Sequence, residues 1–464
     1  MTLIKSISGI RGTIGGTAGE ALTPPDIVKY TSAFGTWLRK RAKSRKVVIG
    51  RDARLSGPMV KQLVAGALQG CGLHVIDLDL STTPTVEIAI PEEKAAGGII
   101  ITASHNPKEW NALKLLNEKG EFVSAADGQE ILQIADKGQF HFVPVNELGG
   151  LEIKNHYLEI HIQKILALSL VDTEAIRKRN FKIVVDAVNS SGGIAVPKLL
   201  RALGVEQIVE LYCEPDGRFP HNPEPLPEHL LEISKMVKKQ KADLGIAVDP
   251  DVDRLALIME DGSPFGEEYT LVAVADYVLQ HKKGDTVSNL SSTRALRDVA
   301  EKRKVKHHSA AVGEVHVVEM MKKVKAVIGG EGNGGIIYPE LHYGRDALVG
   351  IALFLSHLAR SGKTVSMLRA EYPNYYMSKN KIELNPAVDI DRVLLKMQEK
   401  YKKYPHATID GLKIDFDDHW IHLRKSNTEP ILRIYTESKN LTTAESIAQR
   451  IMKEIGELSK QAQS

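Results

Sequence analysis

Short apolar, β-branched runs along the chain stop at glycine- or aspartate-rich segments and give way to stretches with helical spacing. Five such runs stand out. Residues 46–49 precede Gly-Arg-Asp, and 98–102 precede Ala-Ser-His-Asn-Pro. Residues 182–185 precede Asp-Ala-Val-Asn, 244–248 precede Asp-Pro-Asp-Val-Asp-Arg, and 324–328 precede Gly-Gly-Glu-Gly-Asn-Gly-Gly. Parallel strands alternating with helices produce this pattern, so it predicts an α/β fold. Ligands in open α/β sheets sit beyond the carboxyl ends of strands, which makes these five loops the places to look for a site.

Near Tyr372 the pattern changes. A strand over 378–384 and a helix over 389–401 are followed by three closely spaced strands, 408–415, 420–424 and 431–436, and a helix over 442–458. Adjacent strands with short turns predict an antiparallel α+β module. Boundaries near 155, 256 and 370 divide the 464 residues into segments 1–155, 156–256, 257–370 and 371–464. A content of 43% hydrophobic and 26% charged residues suits several cores and excludes disorder. Lys and Arg number 61 against 58 Asp and Glu, too even a balance for the one-sided field of a nucleic-acid binder. The longest apolar stretch, 347–355, is too short to span a bilayer, and residues 1–16 lack the apolar middle of a signal peptide, so the expectation is a soluble, cytoplasmic protein. Cys71 and Cys213 suggest neither a zinc site nor disulfide stapling, and both read as buried, reduced thiols. The basic run 302–308, without aromatics, reads as a solvated helix face, and the proline-rich 214–227 as an ordered surface loop.

Four segments carry chemistry. In Thr102-Ala-Ser-His-Asn-Pro107, Asn106 as N-cap, Pro107 at the first helical position and Glu109 three residues past the cap predict a helix start. A phosphate on Ser104 would meet the positive potential of that helix terminus, although a serine in such a turn is commonly structural. Asp249, Asp251 and Asp253 stand at alternate positions after a strand, a crowding that calls for a hard divalent cation such as Mg²⁺. An EF-hand is excluded, because Arg254 occupies its glycine position and an apolar strand follows. An aspartyl-phosphate phosphatase with Asp249 as nucleophile stays open. Arg424, Ser426, Asn427, Thr428 and Arg433 form the donor set of a phosphate clamp, or a polar hairpin turn. Glu331 and Asn333 in the glycine-rich 329–335 offer an acceptor and a donor to adjacent sugar hydroxyls.

Taken together, in this order and spacing, the four segments resemble the α-D-phosphohexomutase family, with similarity running from Ser6-Ile-Ser-Gly-Ile-Arg-Gly12 to Arg433. The resemblance implies three tandem α/β domains with mixed sheets and a C-terminal α+β domain, four domains around a central cleft, each supplying one loop. It implies phosphoserine at Ser104, and one Mg²⁺ held by Asp249, Asp251 and Asp253 together with Ser104. Arg11, Lys114 and Arg254 would line the phosphoserine site, with Lys114 assisting proton transfer. It also implies a hexose 1,6-bisphosphate as intermediate and activator, a phosphorylated hexose as substrate, neither nucleic acid nor membrane as partner, and a homodimer as an assembly to test for. A non-enzymatic sugar-phosphate binder would need the clamp but not Ser104. The sugar loop departs from the family's common Gly-Glu-x-Ser-Gly-His by carrying Asn333 and Gly335. That version resembles archaeal-type phosphoglucosamine mutases and favours glucosamine phosphate over glucose or mannose phosphate.

Overall fold

A computed structural model describes residues 2–6, 9–383, 389–425 and 431–461. The chain forms two compact units, neither contiguous in sequence: Met1–Lys282 with Asn333–Arg369, and Lys283–Gly332 with Ala370–Ser464. The architecture is α/β, closed by an antiparallel α+β C-terminal module, as the hydrophobic pattern predicts.

The first unit holds two mixed sheets. In the larger, the strands follow the order Leu3–Ser6, Gly9–Thr13, Trp110–Leu116, Gly98–Ile101, Lys46–Arg51, His74–Leu80 and Leu151–Ile153. Gly98–Ile101, Lys46–Arg51 and His74–Leu80 run parallel, and Trp110–Leu116 is antiparallel to its neighbours. The helix Pro24–Arg41 covers one face, started by a capping box between Thr23 and Asp26 with Pro24 in its first turn. Its Ile27, Phe34 and Leu38 pack with Val47, Ile49 and Ile99 into one apolar core. The second sheet orders Leu255–Met259, Leu244–Val248, Lys182–Asp186 and Gln207–Leu211, with only Leu255–Met259 antiparallel. The apolar stretch 347–355 lies in the helix Ala347–Ser361, which is buried almost all round. No helix among the described residues is long and apolar enough to cross a membrane.

In the second unit, His307–Ala310, Thr286–Asn289 and Ile328–Glu331 run parallel. The C-terminal sheet orders Tyr376–Glu383, Ile431–Ser438, His419–Lys425, Leu412–Asp415 and His406–Ala407, antiparallel throughout. Leu412, Ile421, Leu423, Leu432 and Ile434 meet Val393 and Met397 of the helix Ile390–Lys400, and Ile447, Ile451 and Ile455 of the helix Leu441–Gln461.

Three local expectations are corrected. Residues 324–328 are not one strand: the helix Glu314–Val324 ends on the left-handed Lys325 and the strand starts at Ile328. The basic run 302–308 is not a helix face but the end of the helix Ala295–Lys302, a turn and the start of a strand. Its charges follow the turn rather than a 3.6-residue period. Cys71 is buried, whereas Cys213 is only partly so; both are free thiols whose burial pushes them up, to about 11 and about 12.

At the start of Ala347–Ser361 a buried charge cluster sets up a pH response. His342 lies 3.3 Å from Glu87 Oε2 and 3.3 Å from Asp346 Oδ2, and His161 Nε2 lies 2.9 Å from the same Asp346 oxygen. Burial opposes charge on His342, but Asp346 and Glu87 outweigh it and raise its pKa to about 10. A folded-state pKa above the unfolded value of ~6.5 gives stabilisation that is complete below that value and is lost as pH climbs toward the folded one. Each tenfold gain in proton affinity on folding is worth about 1.4 kcal/mol, so His342→Gln should cost on the order of several kcal/mol near pH 6. Its deficit against the unaltered protein, followed by denaturant melts, should shrink as pH approaches 10.

Candidate active site

The serine segment follows the carboxyl end of Gly98–Ile101, as the pattern predicts, but it does not open a helix. Two turns, Asn106 N–H to Ala103 O at 3.1 Å and Trp110 N–H to Pro107 O at 3.0 Å, lead straight into the antiparallel strand Trp110–Leu116. The cause is Arg54. Its fully buried guanidinium donates to the carbonyls of Ser104, Asn106, Pro107 and Trp110 at 2.5, 2.6, 2.6 and 3.0 Å. In a helix those acceptors would serve the helix's own amides. The cap-like spacing of Asn106, Pro107 and Glu109 is real, yet the guanidinium takes the acceptors first.

Arg54 is itself fixed by Asp52 Oδ2, 3.0 Å from its Nε. The same oxygen accepts from Thr102 Oγ1 at 2.6 Å, and Thr102 Oγ1 accepts the Ser104 N–H at 2.9 Å. Ser104 is held at φ +50°, a left-handed conformation that costs a non-glycine residue about 1–3 kcal/mol. In this strained turn its hydroxyl donates to Asp249 Oδ2 at 2.8 Å and lies 3.3 Å from His105 Nδ1.

The carboxylate turn follows Leu244–Val248. Asp249 Oδ1 accepts the N–H groups of Asp253 and Arg254 at 3.1 and 3.2 Å. Val252, a β-branched residue, is forced to φ +63°. Asp249, Asp251 and Asp253 are all fully buried, and one oxygen from each falls within 4.8 Å of the others. Burial, then the charges of Asp253 and Asp251, push the Asp249 carboxyl well up. Asp251 Oδ2 accepts from Lys114 Nζ at 2.7 Å and Thr83 Oγ1 at 2.5 Å, and Asp253 Oδ2 from Arg345 Nη2 at 2.6 Å. Asp251 Oδ1 and Asp253 Oδ1 are buried without a hydrogen-bond partner. Buried carboxylate oxygens left in that state are costly, and hard oxygens converging on one point fit a divalent cation.

Cations surround this cluster. Burial opposes the charge of Lys114, but Asp251 and Asp253 raise its pKa, so it keeps its proton. Asp253 is buried too, yet Arg345, Lys114 and Arg254 hold its carboxyl low. Arg254 lies 3.4 Å from Glu224 and 3.5 Å from His105 Nε2. Burial and the nearby Arg254 lower the pKa of both Arg11 and His105. Ser104, Lys114, Arg11, Arg254 and the three aspartates thus gather in the first unit, with positive side chains where a phosphate's negative charge would be carried. Arg54, Arg345 and Thr83, which help hold them in place, carry no motif in the sequence, and Asp52 was marked only as the end of the Gly-Arg-Asp loop after residues 46–49.

The residues expected to contact substrate divide differently. Glu331 ends a strand of the second unit, where Oε1 accepts from Asn289 Nδ2 at 2.8 Å and the Gly313 N–H at 3.0 Å. Asn333 belongs to the first unit, and its Oδ1 closes a local turn by accepting the Gly335 N–H at 3.2 Å. Ser426, Asn427 and Thr428 lie outside the described residues. Arg424 and Arg433 face each other directly across the antiparallel pair, and Lys381 stands opposite Arg433 on the other side. The three cations form a row on the sheet face opposite the helix-packed Leu423, Leu432 and Ile434. Like charges in cross-strand register repel unless an anion joins them. Lys381 was not legible as part of this row, because only strand register brings it there.

Models of the four domains of phosphoglucomutase/phosphomannomutase match the chain: α/β/α domains I, II and III over residues 3–142, 159–262 and 266–376, and the C-terminal domain over 383–454. A Thermococcus kodakarensis protein named phosphoglucomutase/phosphomannomutase is 38% identical, covering 92% of this chain and 94% of its own. A phosphoglucosamine/phosphogalactosamine mutase from Sulfurisphaera tokodaii is 32% identical, covering 96% and 97%. The crystal structure of a phosphoglucomutase/phosphomannomutase family protein from Burkholderia thailandensis superposes with a TM-score of 0.83 at 25% identity, covering 97% and 98%. A carboxylate cluster facing a strained serine, carried on a chain that matches all four domain models, makes this protein a member of the phosphoglucomutase/phosphomannomutase, or α-D-phosphohexomutase, family of intramolecular phosphotransferases.

Proposed function

We propose that the enzyme interconverts hexose 6-phosphate and hexose 1-phosphate through phosphoserine at Ser104 and a hexose 1,6-bisphosphate, with glucosamine phosphate as the preferred sugar. The observation that carries the transfer chemistry is the Ser104 hydroxyl, 2.8 Å from Asp249 within the buried carboxylate cluster. In this reading the phosphoryl group passes from Ser104 to the free hydroxyl of the sugar, the bisphosphate turns over, and its other phosphate returns to Ser104. Arg11, Arg254 and protonated Lys114 stabilise oxygens of the transferring group. The residues that would hold Mg²⁺ are Asp249, Asp251, Asp253 and the phosphorylated Ser104; bound there, the ion supplies a positive charge that offsets the charge on the transferring group. Glu331 and Asn333 recognise the sugar, and Arg424, Arg433 and the 426–428 segment hold the phosphate that is not reacting. The four segments bounded near 155, 256 and 370 would each contribute one of these elements.

Intact-mass and peptide analysis of the purified enzyme should find one phosphate, on Ser104, which excess hexose monophosphate removes only as released hexose 1,6-bisphosphate. Phosphate on Asp249 instead would favour the aspartyl-phosphatase reading. Excess chelator should abolish activity and added Mg²⁺ restore it; full activity in chelator would remove the metal from the scheme.

Glucosamine phosphate is preferred on the Gly-Glu-Gly-Asn-Gly-Gly loop, where Asn333 and Gly335 replace a common Ser and His, and on the name of the Sulfurisphaera relative. The 38%-identical relative's name supports glucose or mannose phosphate as the second reading. Comparing kcat/KM for the three sugars at fixed Mg²⁺ decides it. A tenfold advantage for glucose or mannose phosphate, about 1.4 kcal/mol in transition-state binding, replaces the first reading by the second.

A further inference from the structure

Within the second unit the proposed phosphate arm and sugar loop are joined by a closed ring of hydrogen bonds. Asp410 sits in the turn before Leu412–Asp415, followed by Gly411 at φ +71°, where a Cβ would fall 2.1 Å from Leu423 O. Its carboxylate takes Nε of Arg424 at 3.0 Å to Oδ1 and 2.8 Å to Oδ2, and Oδ2 also accepts the Val312 N–H at 3.0 Å. The next amide, Gly313 N–H, donates to Glu331 Oε1, which Asn289 Nδ2 also reaches. Asn289 Oδ1 accepts the Ser291 N–H at 2.9 Å, Ser291 Oγ lies 2.9 Å from His422 Nδ1, and His422 Nε2 lies 2.8 Å from Asp410 O. Burial keeps His422 neutral, lowering its pKa to about 4. Nε2 therefore donates to the Asp410 carbonyl, and Nδ1 accepts from Ser291.

We propose that Asp410 is a positioning residue: it grips the Nε edge of Arg424 and the amide beside Gly313, and so couples the guanidinium that holds the distal phosphate to the loop that presents Glu331. The inference rests on the reading of Arg424 as a phosphate contact. Among the described residues the terminal NH₂ groups of Arg424 make no hydrogen bond, so a carboxylate on Nε orients the guanidinium while leaving that edge for an oxyanion. The same carboxylate offsets part of the repulsion from Arg433 across the strand pair.

The test compares Asp410→Asn, Asp410→Glu and Arg424→Ala, alone and with Asp410→Asn added to Arg424→Ala, in the full-length enzyme. Steady-state kinetics would use glucosamine 6-phosphate and glucose 6-phosphate, with thermal melts alongside. Asparagine is isosteric and can still accept from Val312, so the fold should hold while the grip on Arg424 is lost. KM should rise about tenfold with kcat changing less, the size expected for losing one charge-assisted hydrogen bond. Asp410→Glu should recover part of the loss, and the double variant should be no worse than Arg424→Ala. If Arg424→Ala leaves KM unchanged, the phosphate reading of Arg424 fails, and this proposal with it. If Arg424→Ala raises KM but Asp410→Asn does not, or the two effects add in full, the phosphate reading stands and the role of Asp410 is overturned.

Discussion

Replacing Ser104 by alanine is expected to lower kcat by about 10⁴-fold or more, the scale seen when a covalent nucleophile is removed from a site whose other parts remain. The fold should survive. The segment is shaped by Arg54 acting on backbone carbonyls, and alanine keeps every one of them. The serine hydroxyl contributes only its bond to Asp249 and its contact with His105. The variant should therefore melt within a degree or two of the unaltered enzyme and still bind hexose phosphate, while incorporating no phosphate at that position. Retained turnover above one part in a hundred would sink the phosphoserine reading, because among the described residues the hydroxyls that hydrogen-bond the three clustered carboxylates are those of Ser104 and Thr83, and Thr83 is committed to Asp251.

The second large effect is expected at Arg54. Arg54→Met removes the donor for four carbonyls and strands Asp52, whose carboxyl burial already pushes up against the pull of Arg54. Breaking one partner of a buried ion pair costs about 3–5 kcal/mol. Activity should also disappear, because the left-handed turn that aims Ser104 loses its frame. Arg54→Met with Asp52→Asn is expected to recover stability without activity, since Asn removes the stranded charge but cannot rebuild the turn. Urea melts followed by activity at low urea separate the two effects. If Arg54→Met retained near-normal kcat, the serine turn would have to be fixed by something other than this guanidinium.

How much of this was legible in the sequence depends on how local the chemistry is. Asp249, Asp251 and Asp253 lie within five residues on one turn after an apolar strand, so both the strand and the cluster could be read from composition and spacing. Four of the five apolar runs were legible as strands because their apolar character does not depend on context, and the antiparallel C-terminal sheet because its turns are short, whereas 324–328 joins the end of a helix to the start of a strand. The helix expected after Ser104 was not found, since a cap pattern records only what the local chain prefers and Arg54 acts from 50 residues away. Arg345 reaches Asp253 across 92 residues, and Lys381 joins Arg424 only through sheet register, so neither could be chosen by spacing. Asn333 was legible as polar and glycine-flanked, but its own loop uses its carbonyl oxygen.

The interleaving of the two units has a consequence for biosynthesis. The chain enters the second unit at Lys283, leaves it after Gly332 and returns at Ala370, so the first unit can close once Arg369 has emerged, whereas the second has only its Lys283–Gly332 part. At typical elongation rates, the missing C-terminal portion follows over roughly 5–20 s. During that interval the carbonyl of Leu290, which the finished unit pairs with Lys413 Nζ, has no lysine to meet. A ribosome stalled at a point where Arg369 has just cleared the exit tunnel should therefore display a protease-resistant first unit and a cleavable segment between Lys283 and Gly332. That makes this internal stretch, rather than the C-terminus, the part of the nascent protein most dependent on chaperone cover.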